Sequence, residues 1–251
     1  MAYHDNLIKD KKRVEAFYKA ISEKSHGITY DLGTGSGILA KQAIKTSNKV
    51  YAIEISPKTI QKAKETLKNI SNVIIEKQDA KTYNFPEAPD TIICEMLDTA
   101  LIDEEQVPVI NNTHKYKKET TIYIPEETIT IIQLIKTNIV DITYFEDNKP
   151  EYIPLSKENI LDVTVFKEHI NPKINKVIKL TTDEDNIVNA IKLTTYTKLT
   201  KEIILKPTPM LNPPLFIPLN KKIRTTKGKE ILINISYSMG GGLNTIQTDI
   251  K

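Results

Sequence analysis

Two patterns of apolar residues divide the chain. In the first half, short apolar runs that predict buried strands alternate with segments whose apolar residues recur every three or four positions, as in amphipathic helices. The predicted helices cover residues 5–24, 36–46, 56–70 and 103–112, and the predicted strands cover 28–32, 49–55, 72–80, 90–97 and 120–124. Strands that alternate with helices favour parallel pairing with right-handed crossovers, which gives a Rossmann-like, doubly wound α/β sheet.

The pattern changes at Pro125. From there onward, short runs rich in Ile, Thr, Val and Tyr are separated by prolines and by turn dipeptides such as Lys-Gly and Gly-Gly. Such runs are typical of an antiparallel β barrel or sandwich. We therefore predict a Rossmann-like domain over residues 1–125 and a β-barrel domain over residues 126–251. Within the second domain, 145–159 should form a surface loop or short arm, and the three glycines at 240–242 a flexible hairpin loop.

Composition and charge are those of an ordinary folded protein of the cytoplasm. The chain has 251 residues, 39% of them hydrophobic, and a net charge of +3, which permits a nucleic-acid partner without favouring one. Cys94 is the only cysteine, so an internal disulfide is excluded and a reducing compartment is expected. The polar N-terminus lacks the apolar core of a signal peptide, and no apolar run reaches transmembrane length. We expect neither membrane association nor a metal site.

A glycine loop follows the first predicted strand, in the stretch ITYDLGTGSGILAKQAI at residues 28–44. Its glycines are Gly33, Gly35 and Gly37, so the third comes one residue too early for a dinucleotide fingerprint. Ile38 stands where a nucleoside-triphosphate loop needs a lysine. Asp31 would repel a pyrophosphate but would suit an ammonium or sulfonium ligand, and S-adenosylmethionine carries both groups. The alternative is that the glycines form only a tight turn and that Asp31 is a cap.

The pattern D-x-G-x-G-x-G resembles motif I of class I S-adenosylmethionine-dependent methyltransferases. Two further acids end the next two predicted strands, Glu54 after the second and Asp79 after the third. A carboxylate at Glu54 would accept from the ribose hydroxyls, and one at Asp79 would accept from the adenine amino group. Three acids at the ends of three successive strands favour the cofactor interpretation over a simple turn.

The chain also resembles protein arginine methyltransferases, in an archaeal or bacterial branch that would methylate protein or RNA. The stretch HDNLIKDKKRVEAFYKAI looks like the N-terminal helix of that family, with His4, Asp10 and Arg13 at the matching positions. By this resemblance Arg13 would pair with the methionine carboxylate of the cofactor. The family also places two glutamates nine positions apart after the fourth strand, and CEMLDTALIDEE supplies Glu95 and Glu104.

The two glutamates would serve as catalytic residues. A guanidinium has a delocalised lone pair, and two carboxylates that grip its other N–H groups would localise charge away from the attacking nitrogen. The alternative is that Glu104 is only an acid at a helix start, where the helix dipole favours it.

The acceptor site departs from the family pattern. Arginine methyltransferases carry a Thr-His-Trp loop in the barrel, whereas this chain has no Trp and places MLNPP, residues 210–214, near that position. We therefore expect a methyltransferase that uses S-adenosyl-L-methionine on a nitrogen of a macromolecule, either protein or RNA. From another class, the chain could be a non-catalytic module that binds this cofactor. A homodimer is compatible with the sequence.

Overall fold

The first half of the chain forms a parallel sheet. The computed structural model describes residues 10–251. The sheet has five strands, β1 (Ile28–Leu32), β2 (Lys49–Glu54), β3 (Val73–Lys77), β4 (Thr91–Cys94) and β5 (Ile122–Ile124). They pair in the order β3-β2-β1-β4-β5, and every pair is parallel. The strand order reverses between β1 and β4, and ligands bind at the carboxyl ends of the strands at such a switch point.

Short helices connect these strands. They are α1 (Lys11–Lys24), α2 (Ile38–Ala43), α3 (Pro57–Thr66) and α4 (Gln106–Thr113), with a 3₁₀ turn at Thr99–Leu101. Ser56 caps α3, since its hydroxyl accepts from the N–H of Thr59 at 3.2 Å, and Pro57 occupies the first helical position. Over residues 10–251, none of the helices combines the length and the apolar character that crossing a bilayer would require.

The second half forms two antiparallel sheets. The strands and the one α-helix are β6 (Glu127–Thr137), β7 (Thr143–Tyr144), α5 (Phe145–Asn148), β8 (Tyr152–Pro154), β9 (Asn159–Val165), β10 (Lys173–Thr181), β11 (Asn186–Lys198), β12 (Ile204–Leu205), β13 (Leu215–Thr225), β14 (Glu230–Ser238) and β15 (Gln247–Ile250), with a 3₁₀ turn at Leu243–Thr245. The larger sheet has the order β7-β13-β11-β6-β8, with β12 paired to β11 and β9 to β6. The smaller sheet has the order β10-β14-β15.

The apolar core is continuous between the parallel sheet and the antiparallel sheets. One cluster of buried side chains includes Ile92 and Ile93 of β4 together with Leu193 of β11 and Ile217 of β13. Just after β4, the N–H of Ala100 donates to the hydroxyl of Thr195 in β11 at 2.9 Å, so the carboxyl end of β4 faces the antiparallel half.

The predicted fold class, a Rossmann-like sheet followed by a β-barrel-like unit, is confirmed. The helices are shorter than predicted: α3 ends at Thr66 rather than at residue 70, and α4 begins at Gln106 rather than at 103. Pro108 lies in the first turn of α4, where a missing N–H costs no helical hydrogen bond. The predicted loop at 145–159 contains both α5 and β8.

The division into two domains at Pro125 stays a prediction. The last parallel strand ends at Ile124 and the first antiparallel strand begins at Glu127, on either side of that proline.

Candidate active site

Asp31 stabilises the glycine loop through hydrogen bonds. The carboxylate of Asp31 accepts from the hydroxyl of Thr34 at 2.5 Å and from the N–H of Ala40 at 3.0 Å, so it ties the loop to the first turn of α2. The side chain is 2% exposed, and burial raises its pKa to about 6. Asp31 therefore organises the loop, and it does not line the cavity above the loop.

The three glycines of the loop have left-handed backbones, with φ of 73° at Gly33, 58° at Gly35 and 81° at Gly37. A side chain on Gly33 would also collide with Met96, whose Sδ lies 3.0 Å from the position of a Cβ. Only glycine adopts this conformation without strain, so the loop brings its backbone close to whatever occupies the cavity.

Glu54, at the end of β2, holds the loop from the side. Its Oε2 accepts from the N–H of Gly35 at 3.0 Å, and its Oε1 accepts from the N–H of Ser56 at 2.8 Å. Each oxygen keeps a further lone pair, and the side chain lines the cavity. The carboxylate can therefore accept from ligand hydroxyls while it stays fixed by two backbone donors.

Asp79 lies beyond the end of β3 and also lines the cavity. Its Oδ1 accepts from the N–H of Lys81 at 2.9 Å. The ammonium of Lys81 lies 2.6 Å from Oε1 of Glu105 and 3.8 Å from Oδ2 of Asp79, so it bridges the two acids. The hydrogen bond to Glu105 raises the pKa of Lys81. Sequence reasoning missed Lys81, because a lysine two residues after an acid is no signal by itself.

Arg13 reaches the cavity from α1 and forms an ion pair with Glu95, the residue after β4. The side chains are 3% and 13% exposed. Burial raises the pKa of Glu95 to about 7, against the opposing effect of the Arg13 charge, and the charges of Asp31 and Glu104 raise it further. Glu95 is thus a buried carboxyl whose ionisation falls near neutral pH.

Glu104 stands at the end of a turn that Asp98 organises. The carboxylate of Asp98 accepts from the N–H groups of Ile102 at 3.1 Å, Asp103 at 2.9 Å and Glu104 at 3.2 Å. Tyr144 of β7 donates its hydroxyl to the same carboxylate at 3.1 Å. Burial raises the pKa of Asp98 to about 7.

Glu104 lies close to the start of α4 but does not cap this helix. The helix α4 begins two residues later, and Glu105, at its N-cap, makes no side-chain capping bond. Sequence reasoning also missed Asp98, which lies among other acids in CEMLDTALIDEE and is singled out only by its contacts.

The predicted residues converge on one cavity of about 250 Å³. The cavity brings together most of the residues that the sequence singled out, namely Arg13, Gly33, Gly35, Glu54, Asp79, Glu95 and Glu104. Asp31 and Gly37 support the loop from outside the lining, and His4 lies outside the described residues.

The antiparallel half contributes Met210, from the segment at 210–214, to the wall of the cavity. Close by in the chain, the hydroxyl of Thr208 donates to the carboxylate of Asp10, which also caps α1 by accepting from the N–H of Arg13 at 3.2 Å. The helix that carries Arg13 is therefore tied to the turn that carries Met210. Thr208 has no sequence signal for this role, whereas Met210 belongs to the segment that the resemblance to arginine methyltransferases placed near the acceptor site.

The comparisons with known proteins agree with this geometry. Residues 30–119 match a family described as a methyltransferase domain. The chain is 40% identical, over 99% of its length and 97% of the relative, to an uncharacterized protein of Methanothermobacter thermautotrophicus. It is 41% identical, over 99% of its length and 96% of the relative, to an uncharacterized protein of Methanocaldococcus jannaschii.

Among solved structures, the fold is similar to protein arginine methyltransferase 10 of Arabidopsis thaliana, with a TM-score of 0.81 and 15% identity over 94% of this chain and 87% of that one. It is also similar to an arginine methyltransferase of Trypanosoma brucei in an enzyme–prozyme complex with S-adenosylhomocysteine. There the TM-score is 0.76 and the identity 15%, over 92% of this chain and 86% of that one. The chain is a class I S-adenosylmethionine-dependent methyltransferase and belongs to one family with the two archaeal proteins.

The cavity fits S-adenosylmethionine. The glycine loop lines the cavity at the switch point of the sheet, the carboxylates of Glu54 and Asp79 could accept from hydroxyl and amino groups of the cofactor, and the buried guanidinium of Arg13 could bind its carboxylate. When bound, this cofactor supplies an activated methyl group on a sulfonium. Among residues 10–251, no cluster of three or more His, Cys, Asp or Glu side chains is arranged to hold a metal ion.

Proposed function

We propose that the enzyme methylates a guanidino or amino nitrogen on a protein, and that Glu95 and Glu104 hold this acceptor. The observation that carries the proposal is that both carboxylates line the cavity that also contains the glycine loop and Glu54. Glu95 is largely buried beside Arg13 and Glu104 is exposed, and two carboxylates that line one cavity attract a cationic acceptor more than a neutral one.

The cofactor contacts follow from the same lining. Arg13 would bind the methionine carboxylate, Glu54 the ribose hydroxyls and Asp79 the adenine amino group. Asp31 would act indirectly, because it holds the loop through Thr34 and Ala40 rather than through the ligand. With these contacts to the cofactor, Glu95 and Glu104 would be left to bind the acceptor.

The transfer itself needs positioning and charge control. The bound cofactor would supply the methyl group, and the acceptor nitrogen would form a bond to the methyl carbon as the carbon–sulfur bond breaks with its electron pair left on sulfur. The nitrogen then loses a proton, which an ionised carboxylate can accept. Glu95 has a pKa near 7, so at neutral pH a substantial fraction of it is ionised and able to grip the acceptor.

RNA is the second candidate acceptor. The chain is 29% identical over 84 residues, 34% of each chain, to an rRNA adenine N-6-methyltransferase of Escherichia coli. That likeness covers only a third of the chain, whereas the glutamate pair gives a direct reason for a cationic acceptor. A cofactor-binding module without turnover is the third candidate.

One experiment separates the three. The purified protein is incubated with radiolabelled S-adenosylmethionine and total cell extract, and aliquots are treated with protease or with ribonuclease. We expect label that protease releases and ribonuclease does not, and methylated arginine or lysine after acid hydrolysis. Label confined to RNA would replace protein by RNA as the acceptor. S-adenosylhomocysteine binding without transfer to either would favour the module.

A further inference from the structure

The turn between β14 and β15 lies against the segment that ends in Glu104. The N–H of Gly240 donates to the carbonyl of Leu101 at 2.8 Å, and the N–H of Gly242 donates to the carbonyl of Ile102 at 2.9 Å. These contacts join residues more than a hundred positions apart. The sequence had suggested only a flexible hairpin loop at 240–242.

The close approach depends on the absence of a side chain at Gly240. A Cβ there would lie 3.3 Å from Cδ of Pro108 and 3.6 Å from the carbonyl oxygen of Glu104. The residue also has a left-handed backbone, with φ of 70°. A Cβ at this position would be tight against Pro108 in the first turn of α4, and it would be in van der Waals contact with the carbonyl oxygen of Glu104.

Two sets of hydrogen bonds therefore fix the backbone at and before Glu104. Asp98 accepts from its N–H at 3.2 Å, and the glycine turn, residues 240–242, binds the carbonyl groups of Leu101 and Ile102, three and two positions before it in the chain. Asp98 belongs to the Rossmann-like half, whereas the glycine turn belongs to the antiparallel half. The position of the Glu104 carboxylate then depends on how the two halves meet.

We propose that the glycine turn is a positioning element for Glu104, which sets where this carboxylate stands in the acceptor site. The effect on catalysis rests on the proposed role of Glu104, whereas the effect on its position does not. Because misplacement of a reacting group by about 1 Å can cost about a hundredfold in rate, a shift of a few tenths of an ångström should cost roughly three- to tenfold.

The test compares Gly240→Ala with Gly228→Ala. Gly228 has φ of 81°, similar to that of Gly240, but a Cβ there would meet nothing within 4 Å. Both variants carry the same kind of backbone strain, and only the first adds a contact. We expect kcat for methyl transfer to total cell protein to fall three- to tenfold in Gly240→Ala, at an unchanged Kd for S-adenosylhomocysteine, and to stay at the wild-type value in Gly228→Ala.

A second substitution tests the contact itself. Pro108→Ala removes the ring atoms that the new methyl group would meet, so Gly240→Ala combined with Pro108→Ala should recover the kcat of Pro108→Ala alone.

Crystal structures of the two glycine variants give a readout that needs no acceptor. The Glu104 carboxylate should be displaced in Gly240→Ala and in place in Gly228→Ala.

The outcomes separate the two proposals. If Glu104 keeps its position in Gly240→Ala, or if Gly240→Ala and Gly228→Ala have equal kcat while Glu104→Gln is inactive, the positioning role is wrong. If Glu104→Gln transfers methyl groups at the wild-type rate, the proposed function is wrong, whatever the crystal structures show.

Discussion

Replacement of Glu54 by glutamine tests how the cofactor is held. The two side chains are nearly isosteric, so packing is preserved. In the wild type each carboxylate oxygen accepts from a backbone N–H, from Gly35 at 3.0 Å and from Ser56 at 2.8 Å. Glutamine offers one oxygen and one NH₂ group. One of the two backbone donors therefore loses its acceptor and faces another donor.

The magnitude follows from these contacts. A buried donor without an acceptor costs about 1–3 kcal/mol, and the lost charge on the remaining hydrogen bond to a ribose hydroxyl adds to this. Part of this cost lowers the free energy of unfolding of the free protein. The remainder should weaken the binding free energy of the cofactor by about 1.5–3 kcal/mol. That corresponds to roughly a tenfold to hundredfold increase in Kd.

Calorimetry with two ligands assigns the loss to the ribose. S-adenosylhomocysteine and methylthioadenosine share the nucleoside, but only the first has the amino-acid carboxylate. Glu54→Gln should weaken both ligands by similar factors, whereas Arg13→Gln should weaken only the first. Glu87→Gln is the matched control, because Glu87 pairs with Lys49 at 2.7 Å beyond the opposite end of β2, outside the cavity lining. An unchanged Kd in Glu54→Gln, or a loss restricted to S-adenosylhomocysteine, would refute this assignment.

Two further predictions concern pH. The rate of methyl transfer should rise as the pH increases through about 7, where Glu95 ionises, and Arg13→Gln should move this midpoint upward because the guanidinium favours the ionised form; a midpoint that does not move would contradict the pairing. The cofactor-free protein should lose stability as the pH rises from 5 to 8. The pKa values of Asp31, Glu95 and Asp98 are raised to about 6, 7 and 7, so their contribution is full below the unfolded values near 4 and is lost as the pH rises through 6–7. Thermal melts should show Tm lower by about 5 °C or more at pH 8, and a Tm that rises over this range would contradict the buried carboxyl groups.

The inner strands of the parallel sheet, β1, β2 and β4, could be predicted because nearly all of their residues are buried. Such strands appear as continuous apolar runs, and the acids that end them stand out. Glu54 is the last residue of β2 and Glu95 the first after β4, so the sequence located both at the edge where ligands bind. Asp31 shows the limit of this reasoning. Its position in the chain does not reveal that its carboxylate supports the glycine loop and does not line the cavity.

One long strand, β13, is only weakly marked in the sequence, for a physical reason. The strand β13 contains Pro218 and the polar run Asn220, Lys221 and Lys222, which together look like a turn. In the structure, Pro218 pairs with Ala190 next to a register shift in β11, and a proline is tolerated at such an irregularity. The polar run lies on an exposed stretch of the strand.

The remaining site residues are defined by contacts between distant parts of the chain. Met210 and Thr208 belong to the antiparallel half, and Asp98 is recognised only by the three backbone N–H groups that it binds. Local spacing carries no record of such contacts. A motif can therefore locate the cofactor, but the walls of the acceptor site come from the folded arrangement.

The most direct test of the acceptor site compares turnover in Glu95→Gln and Glu87→Gln. Each variant replaces a glutamate that forms an ion pair, Glu95 with Arg13 inside the cavity and Glu87 with Lys49 outside it. Methyl transfer to total cell protein is measured at pH 8, with the Kd for S-adenosylhomocysteine and the thermal melt recorded for both. A carboxylate that controls charge in the transition state contributes mainly to kcat. We expect Glu95→Gln to bind the cofactor product within about threefold of the wild type and to lose at least about a hundredfold in kcat, while Glu87→Gln keeps the wild-type rate. Equal rates in the two variants at equal stability would contradict the assignment of Glu95 to the acceptor.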